Sequence, residues 1–331
     1  MKRKIPLVPE RRTEGTLTET SDMSRRRFLR LAGATALSWA AVSRLDSALP
    51  GTLPNPVGYS NISWPPNDFN QALETVSALG YQGVQLLGWV QEAYSGGKTA
   101  ELKDRLHRLK LLPAALSCNK VSLRPDRPAN PIPKFREYAD FLHSLGGNVL
   151  QLLDRGKPHG NYSAGEIKSL GARMNELGKI AKDSGLTVGY HPHLGRLGET
   201  REGLGRVLDA TDPQYVGLMA DVAHLILGGA DPVEVLRTYH QRLVLVHLKD
   251  VRRDAYELAH QKPDAVGKLK AYFCEIGHGV VDFPAVTATL RDVRFQGWVI
   301  VELDRYELPA GGPAESARIN KDALRSLGFN I

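Results

Sequence analysis

From about Pro50 onward, short apolar runs alternate with stretches of helical periodicity, at a repeat of about 30–35 residues. This is the pattern of consecutive βα units. Val57-Gly58-Tyr59-Ser60 predicts the first strand and Asp68–Leu79 the first helix, stopped by Gly80. Strands follow at Gly83–Leu87, Leu112–Ser117 and Asn148–Leu153, with helices at Thr99–Lys110, Ile132–Leu145 and, after the capping box Ser163-Ala164-Gly165-Glu166, up to Asp183. Four further runs, Thr187–Tyr190, Val216–Ala220, Leu243–Leu248 and Trp298–Val301, lead to helices around Glu202–Ala210, from Asp231-Pro232, at Phe283–Val293 and at Ala314–Leu327. Eight such units over about 275 residues predict a single (β/α)8 barrel. The competing arrangement is a doubly wound open sheet. No glycine-rich dinucleotide fingerprint follows the first strand, which weakens it. The long connection from Lys249 to Val281 is of a length to cover the barrel mouth.

The last four strands share a chemical feature: His191, Asp221, His247 and Glu302 each stand at the end of an apolar run. Parallel barrel strands bring their C-terminal ends to one mouth, so the four would converge. Two imidazoles and two carboxylates make a divalent-metal donor set. Each residue alone reads more simply as a hydrogen-bonded loop side chain; the ordered set of four carries the expectation. His193 lies two positions beyond His191 and Lys249 two beyond His247, which places each pair on one strand face if the strands continue. His224, three residues after Asp221, is expected to turn into the mouth from the following loop.

The formal charge of +7 invites a nucleic-acid reading, but +6 of it lies in residues 1–44, with ten Lys/Arg against four acids. The body is nearly neutral, so the charge says little about its partners. The basic segment contains Ser24-Arg25-Arg26-Arg27-Phe28-Leu29-Arg30, which resembles the twin-arginine export consensus, before a mild apolar stretch from Leu31 to Val42. That stretch is short and diluted by Gly33, Thr35 and Ser38, so it is not expected to span a membrane. The alternative is a basic, disordered tail. The organisation predicted is therefore a leader and linker over residues 1–50 and a barrel over 51–331. Periplasmic or extracellular localisation follows. Cys118 and Cys274 do not make a disulfide framework and are expected to be free and mostly buried.

The same C-terminal residues carry a resemblance. Asp221-Val222-Ala223-His224 with Gly228-Gly229-Ala230-Asp231-Pro232, then His247-Leu248-Lys249-Asp250-Val251, Ile276–Phe283 and Gly297–Glu302, are similar to the xylose isomerase-like barrel superfamily. That superfamily includes sugar-phosphate isomerases and epimerases, inosose dehydratases and the endonuclease IV branch. The resemblance implies one divalent ion, Mn²⁺, Co²⁺ or Zn²⁺, on His191, Asp221, His247 and Glu302. Epimerases of the superfamily generally place a Glu at the position of His191. Here Tyr190-His191-Pro192-His193 resembles the His-rich strand of inosose dehydratases instead.

The expected activity is therefore a metal-dependent lyase or dehydratase, or a hydratase, acting on a keto-sugar or keto-polyol through enolate chemistry. A metal-dependent isomerase or epimerase is the alternative. His193 or Glu302 is the candidate base, and His224 or Lys249 the candidate acid. More remote readings are a non-catalytic sugar-binding barrel and an endonuclease IV-like nuclease, for which the early strand ends lack extra His and carboxylate ligands. The expected partners are a small-molecule keto-sugar, keto-polyol or glycoside and, during export, the twin-arginine (Tat) translocase. A homo-oligomer is compatible with the sequence; neither nucleic acid nor a stable membrane anchor is expected. Trp64 and Trp89 either stack on a sugar face or pack in the wall. Asp154, Arg155 and Lys157 read as solvated loop charges ahead of substrate contacts, Arg252-Arg253 as surface, and Cys118 as core rather than nucleophile.

Overall fold

The computed structural model describes residues 52–118, 123–124, 131–155, 162–304 and 306–331. The apolar runs, buried on both faces, form the barrel strands, and with a short ribbon the described residues contain ten strands: β1 Val57–Ser60, β2 Gly83–Leu87, β3 Leu112–Ser117, β4 Val149–Leu152, β5 Thr187–Tyr190, β6 Val216–Asp221, β7 Leu243–Leu248, β8 Asp250–Val251, β9 Phe273–Cys274 and β10 Trp298–Val301. Strands β1 to β7 pair in parallel in sequence order, and β10 closes the ring between β7 and β1. The doubly wound alternative is thereby excluded.

Period-two geometry sorts each barrel strand into an inner and an outer face. Ala115, Val149, Met219, Leu245 and Ile300 fill the interior as one apolar cluster, with Trp298 below them. Trp298 fills its end of the barrel because β2 leaves room at Gly83, where a Cβ would stand 2.6 Å from the indole ring. Two residues further along each strand the inner face turns polar: Ser117, Gln151, His191, Asp221, His247 and Glu302. The register keeps this layer level, pairing Asp221 with His247 and Ser117 with Gln151.

The helices surround the barrel as the apolar stripes require. The longest among the described residues, Ala164–Asp183, begins with the expected capping box: the Ser163 hydroxyl accepts from the Glu166 amide at 3.2 Å, and the Glu166 carboxylate accepts from the Ser163 amide at 2.8 Å. It buries Ile167, Leu170, Met174, Leu177 and Ala181 on one face, the spacing of an amphipathic helix.

Two local features lie beyond the sequence-based expectation. A helix at Gly88–Tyr94 directly follows β2, and the connection after β7 carries a two-stranded antiparallel ribbon, β8 with β9, and a helix at Arg253–Gln261. The leader, including the twin-arginine segment, lies outside the described residues, as does Lys157. Among the described residues no helix is long and apolar enough to cross a membrane.

Candidate active site

Asp221 ends β6 and starts the next helix, Val222–Leu227. A helix start leaves backbone amides without partners, and Asp221 Oδ1 accepts two of them, from Ala223 at 3.0 Å and His224 at 3.1 Å. The second oxygen, Oδ2, is left to face the barrel axis. It lies 3.6 Å from His247 Nδ1 and 3.1 Å from Lys249 Nζ.

His247 is oriented from the opposite side of the barrel. The Gln85 carbonyl oxygen can only accept, so the 2.7 Å contact makes His247 Nε2 the protonated nitrogen. The lone pair is then on Nδ1, which has no hydrogen-bond partner among the described residues and looks toward Asp221 and, at 3.5 Å, Glu302 Oε2. The Gln85 amide donates to Glu302 Oε1 at 2.9 Å, and to Gln151 at 3.1 Å and Ser117 at 3.3 Å. Ser117 in turn donates to Gln151. One buried glutamine thus sets both the tautomer of His247 and the rotamer of Glu302.

His191 completes the set, with Nε2 3.9 Å from Glu302 Oε2 and a buried Nδ1 without a hydrogen-bond partner among the described residues. One donor atom from each of His191, Asp221, His247 and Glu302 lies within 4.8 Å of the others, and all four residues are buried. The bare Nδ1 of His247 and the imidazole of His191, both facing carboxylates in a buried pocket, fit a divalent cation, and the mixed N and O donors suit Mn, Co or Zn. The four strand-end residues predicted to converge do so.

Lys249 lies fully buried beside them, 3.1 Å from Asp221, 3.2 Å from Glu302 Oε2 and 3.0 Å from Asp304 Oδ1. Its ammonium also sits 4.4 Å over the ring of Phe273 on β9. Burial alone would lower its pKa; Asp221, Asp304 and Glu302 outweigh that and raise it well above the ordinary value. Burial likewise pushes the two carboxyls up, but the cations and imidazoles around them win. Asp221 is held well below its ordinary value by Lys249 and His224, and Glu302 is held at about 2 by His247, Lys249 and His191.

His193 does not join the quartet. Its ring lies beside that of His224, with centroids 3.9 Å apart, and both stand near His191 at 5.7 and 5.4 Å. Pro192 and the turn at Gly195, with φ of +76°, carry the chain out of the strand before His193 can align with His191. Burial lowers the pKa of all three imidazoles, with His191 down to about 3 and His224 well below its ordinary value, so they are neutral at neutral pH. Phe273 packs against His224 at 5.1 Å, so the connection after β7 does cover the site.

The structure corrects one reading and refines others. Asp154 is not a solvated charge: it is fully buried and accepts from Tyr190 at 2.9 Å and the Leu197 amide at 3.0 Å, tying β4 to the loop after β5. Trp64 is buried edge-on to Tyr59, a wall position, and Trp89 packs edge-on to Phe69. Arg252 pairs with Asp254 and Glu307 at the surface. Cys118 is buried and Cys274 half-buried, both free. Gln85, Gln151, Ser117 and Asp304 were absent from the sequence-based site; the available signal was a glutamine interrupting an apolar strand at β2 and again at β4.

A model of the xylose isomerase-like TIM barrel family matches residues 73–327. The chain belongs to that family. Within the curated proteins it is similar to the inosose dehydratase of Clostridium beijerinckii, 28% identical over 294 residues that cover 83% of this chain and 96% of that one. Two solved structures share the family fold. The probable 3-DHS dehydratase of Bacillus anthracis involved in petrobactin synthesis superposes with a TM-score of 0.65 at 16% identity, covering 82% of this chain and 98% of its own. The IOLI protein, solved with a bound zinc atom, superposes with a TM-score of 0.65 at 18% identity and the same coverage.

Proposed function

We propose that this member of the family is a divalent-metal-dependent dehydratase, a carbon–oxygen lyase acting on a keto-polyol or keto-sugar. The observation that carries the reading is the composition of the buried quartet: its fourth corner is the imidazole of His191, and imidazoles rather than a second glutamate stand opposite Glu302. A proton shuttle between two glutamates on opposite faces of a substrate has no counterpart in the quartet. The similarity to the inosose dehydratase of Clostridium beijerinckii, over 83% of this chain, supports the same conclusion. His191, Asp221, His247 and Glu302 would hold the ion, which when bound supplies Lewis acidity toward a substrate oxygen and so lowers the cost of removing the neighbouring C–H proton.

The chain's own groups divide the remaining work. Gln85 holds Glu302 and His247 in place, and Lys249 balances the carboxylates. Glu302 is engaged by Gln85 and Lys249, which leaves His193 as the base next to the quartet. His224 lines the same pocket as the donor. Phe273 packs over both His224 and Lys249. Members of this family also isomerise sugars, so an isomerase or epimerase is the alternative.

The test is chelation of the purified protein and restoration with Mn²⁺, Co²⁺ or Zn²⁺, assayed on 2-keto-inositol and on 3-keto-glucosides. Dehydration or aglycone loss should vanish with chelator and in His247→Ala; activity indifferent to both would remove the metal mechanism. Solvent-deuterium exchange next to the carbonyl with no loss of water or aglycone would select the epimerase. Retention on DNA at low salt would revive the nuclease reading, and sugar binding without turnover the binding-protein reading.

Export by the Tat translocase to the periplasm or exterior is part of the same proposal, because such a protein would meet sugars and glycosides rather than sugar phosphates. Replacing Arg25 and Arg26 by Lys should leave the chain in the cytoplasmic fraction. Recovery of that variant outside the cytoplasm would overturn it.

A further inference from the structure

His193 and His224 sit against the same residue, and the two contacts have opposite polarity. His193 Nδ1 lies 2.7 Å from the carbonyl oxygen of Leu194. A carbonyl oxygen only accepts, so Nδ1 of His193 carries the proton. The Leu194 amide N–H lies 3.2 Å from His224 Nδ1. An amide N–H only donates, so Nδ1 of His224 is the bare nitrogen. In a neutral imidazole the other nitrogen takes the opposite role. Resting on the dehydratase reading, we propose that the Leu194 backbone fixes the two imidazoles in opposite tautomers, so that His193 offers a bare Nε2 and His224 an Nε2–H to the substrate.

Burial gives the assignment its consequence. His224 is buried, and its Nε2 has no hydrogen-bond partner among the described residues. A buried N–H without an acceptor is costly, roughly the desolvation of a polar group, unless something arrives to accept from it. A substrate oxygen that gains negative charge is such an acceptor, and a preorganised donor aimed at developing charge stabilises the transition state. The tautomers also decide between two histidine-containing donor sets. His191, His193 and His224 place ring nitrogens within 4.8 Å of one another, as a metal triad would. With the proton on Nε2 and a backbone N–H on Nδ1, His224 has no free lone pair to coordinate. The triad is therefore a substrate-facing group and the quartet the metal-type one.

The elimination then balances on one base. His193 Nε2 takes the proton from the carbon next to the carbonyl, and the C–H electron pair moves into the enolate, whose negative charge rests on the former carbonyl oxygen. When the enolate collapses, that charge re-forms the carbonyl, the electron pair becomes the new C=C bond, and the C–O bond to the β-oxygen breaks with its own pair. The proton held by His193 passes to the departing hydroxide, which leaves as water, and the imidazole returns to its starting tautomer. His224 keeps its proton throughout and donates a hydrogen bond to the β-oxygen as it departs and gains negative charge. Leu194 is the positioning residue: it touches no substrate and acts through the two rings.

The experiment is long-range ¹H–¹⁵N correlation on the Zn²⁺-loaded full chain labelled with ¹⁵N-histidine, with the two rings assigned from His193→Gln and His224→Gln. His193 is expected as the Nδ1–H tautomer and His224 as the Nε2–H tautomer. The same tautomer at both positions would overturn the proposal. Kinetically, His193→Gln should slow deuterium exchange at the α-carbon by about 100-fold or more, the usual size of a general-base contribution. His224→Gln should retain a larger share of exchange than His193→Gln while losing dehydration. Equal loss of exchange in both variants would count against the division of roles. Opposite tautomers in a protein that turns over no keto-polyol or keto-glucoside would leave the assignment standing and remove the substrate reading instead.

Discussion

Asp221 serves two partners with its two oxygens: Oδ1 caps the helix that begins at Val222, while Oδ2 lies 3.1 Å from the buried ammonium of Lys249. Backbone capping fixes the carboxylate rotamer, and the fixed rotamer points the free oxygen at the pocket. The contacts among Asp221, Lys249 and Glu302 make Lys249 the counter-ion of the metal-free quartet.

Lys249→Met should therefore destabilise the metal-free protein. Removing one partner of a buried ionic group leaves uncompensated charge at a cost of about 3–5 kcal/mol. A divalent ion should restore most of that loss, since it neutralises the same carboxylates. Chemical denaturation with chelator and with Zn²⁺ checks this; an equal loss under both conditions would contradict the counter-ion role.

Gln85→Leu should leave the barrel folded but weaken metal binding about 10–100-fold, the usual effect of losing a group that orients ligands. It removes the acceptor for His247 Nε2 and the donor to Glu302 Oε1 together. Competition with a chromophoric chelator measures the change. Unaltered affinity would show that the rotamers are set elsewhere.

Stability of the chelator-treated protein should fall as pH drops below about 6.5. His191 has its pKa depressed by burial to about 3, so between its ordinary 6.5 and 3 the unfolded chain binds a proton that the folded chain does not. His193 and His224 act in the same direction. Glu302, held at about 2 against an ordinary 4.5, adds a second loss below pH 4.5 that is complete only once the pH has passed about 2. Denaturation midpoints across pH 3 to 8 should show the decline begin well above the carboxylate range. His191→Gln should flatten its upper part; an unchanged profile would argue against a neutral buried His191.

Asp250 anchors the segment that follows β9. Its carboxylate accepts backbone amides from Val251, Gly277, Gly279 and Val281 at 2.7 to 3.0 Å. Gly277 has φ of +86°, and a Cβ at Gly279 would stand 2.4 Å from Asp250 Oδ1, so the loop closes on the carboxylate only with glycine at these places. Asp250→Ala should cost roughly 3 kcal/mol or more by stranding several amides. Hydrogen exchange should accelerate first at residues 276–281.

The barrel and the quartet were legible in the chain because both rest on local periodicity. Period-two alternation assigns each strand residue a face, so a metal-type residue two beyond an inward apolar one must point into the mouth. Met219 and Asp221, Leu245 and His247, and Ile300 and Glu302 follow this rule in turn. Partnerships across the barrel have no local signature, because they depend on register and closure between strands remote in sequence. Gln85 reaches His247 and Glu302 across 162 and 217 residues, and that contact is what turns a glutamine in an apolar run into an organiser of the site. Loop conformation decided the rest. The chain leaves β5 at Pro192, which takes His193 out of line with His191, sets it beside His224 and places the Leu194 backbone between their Nδ1 atoms. Alternation predicted which side chains face the pocket; only the closed fold settled which of their nitrogens carry protons, because hydrogen-bond partners do that.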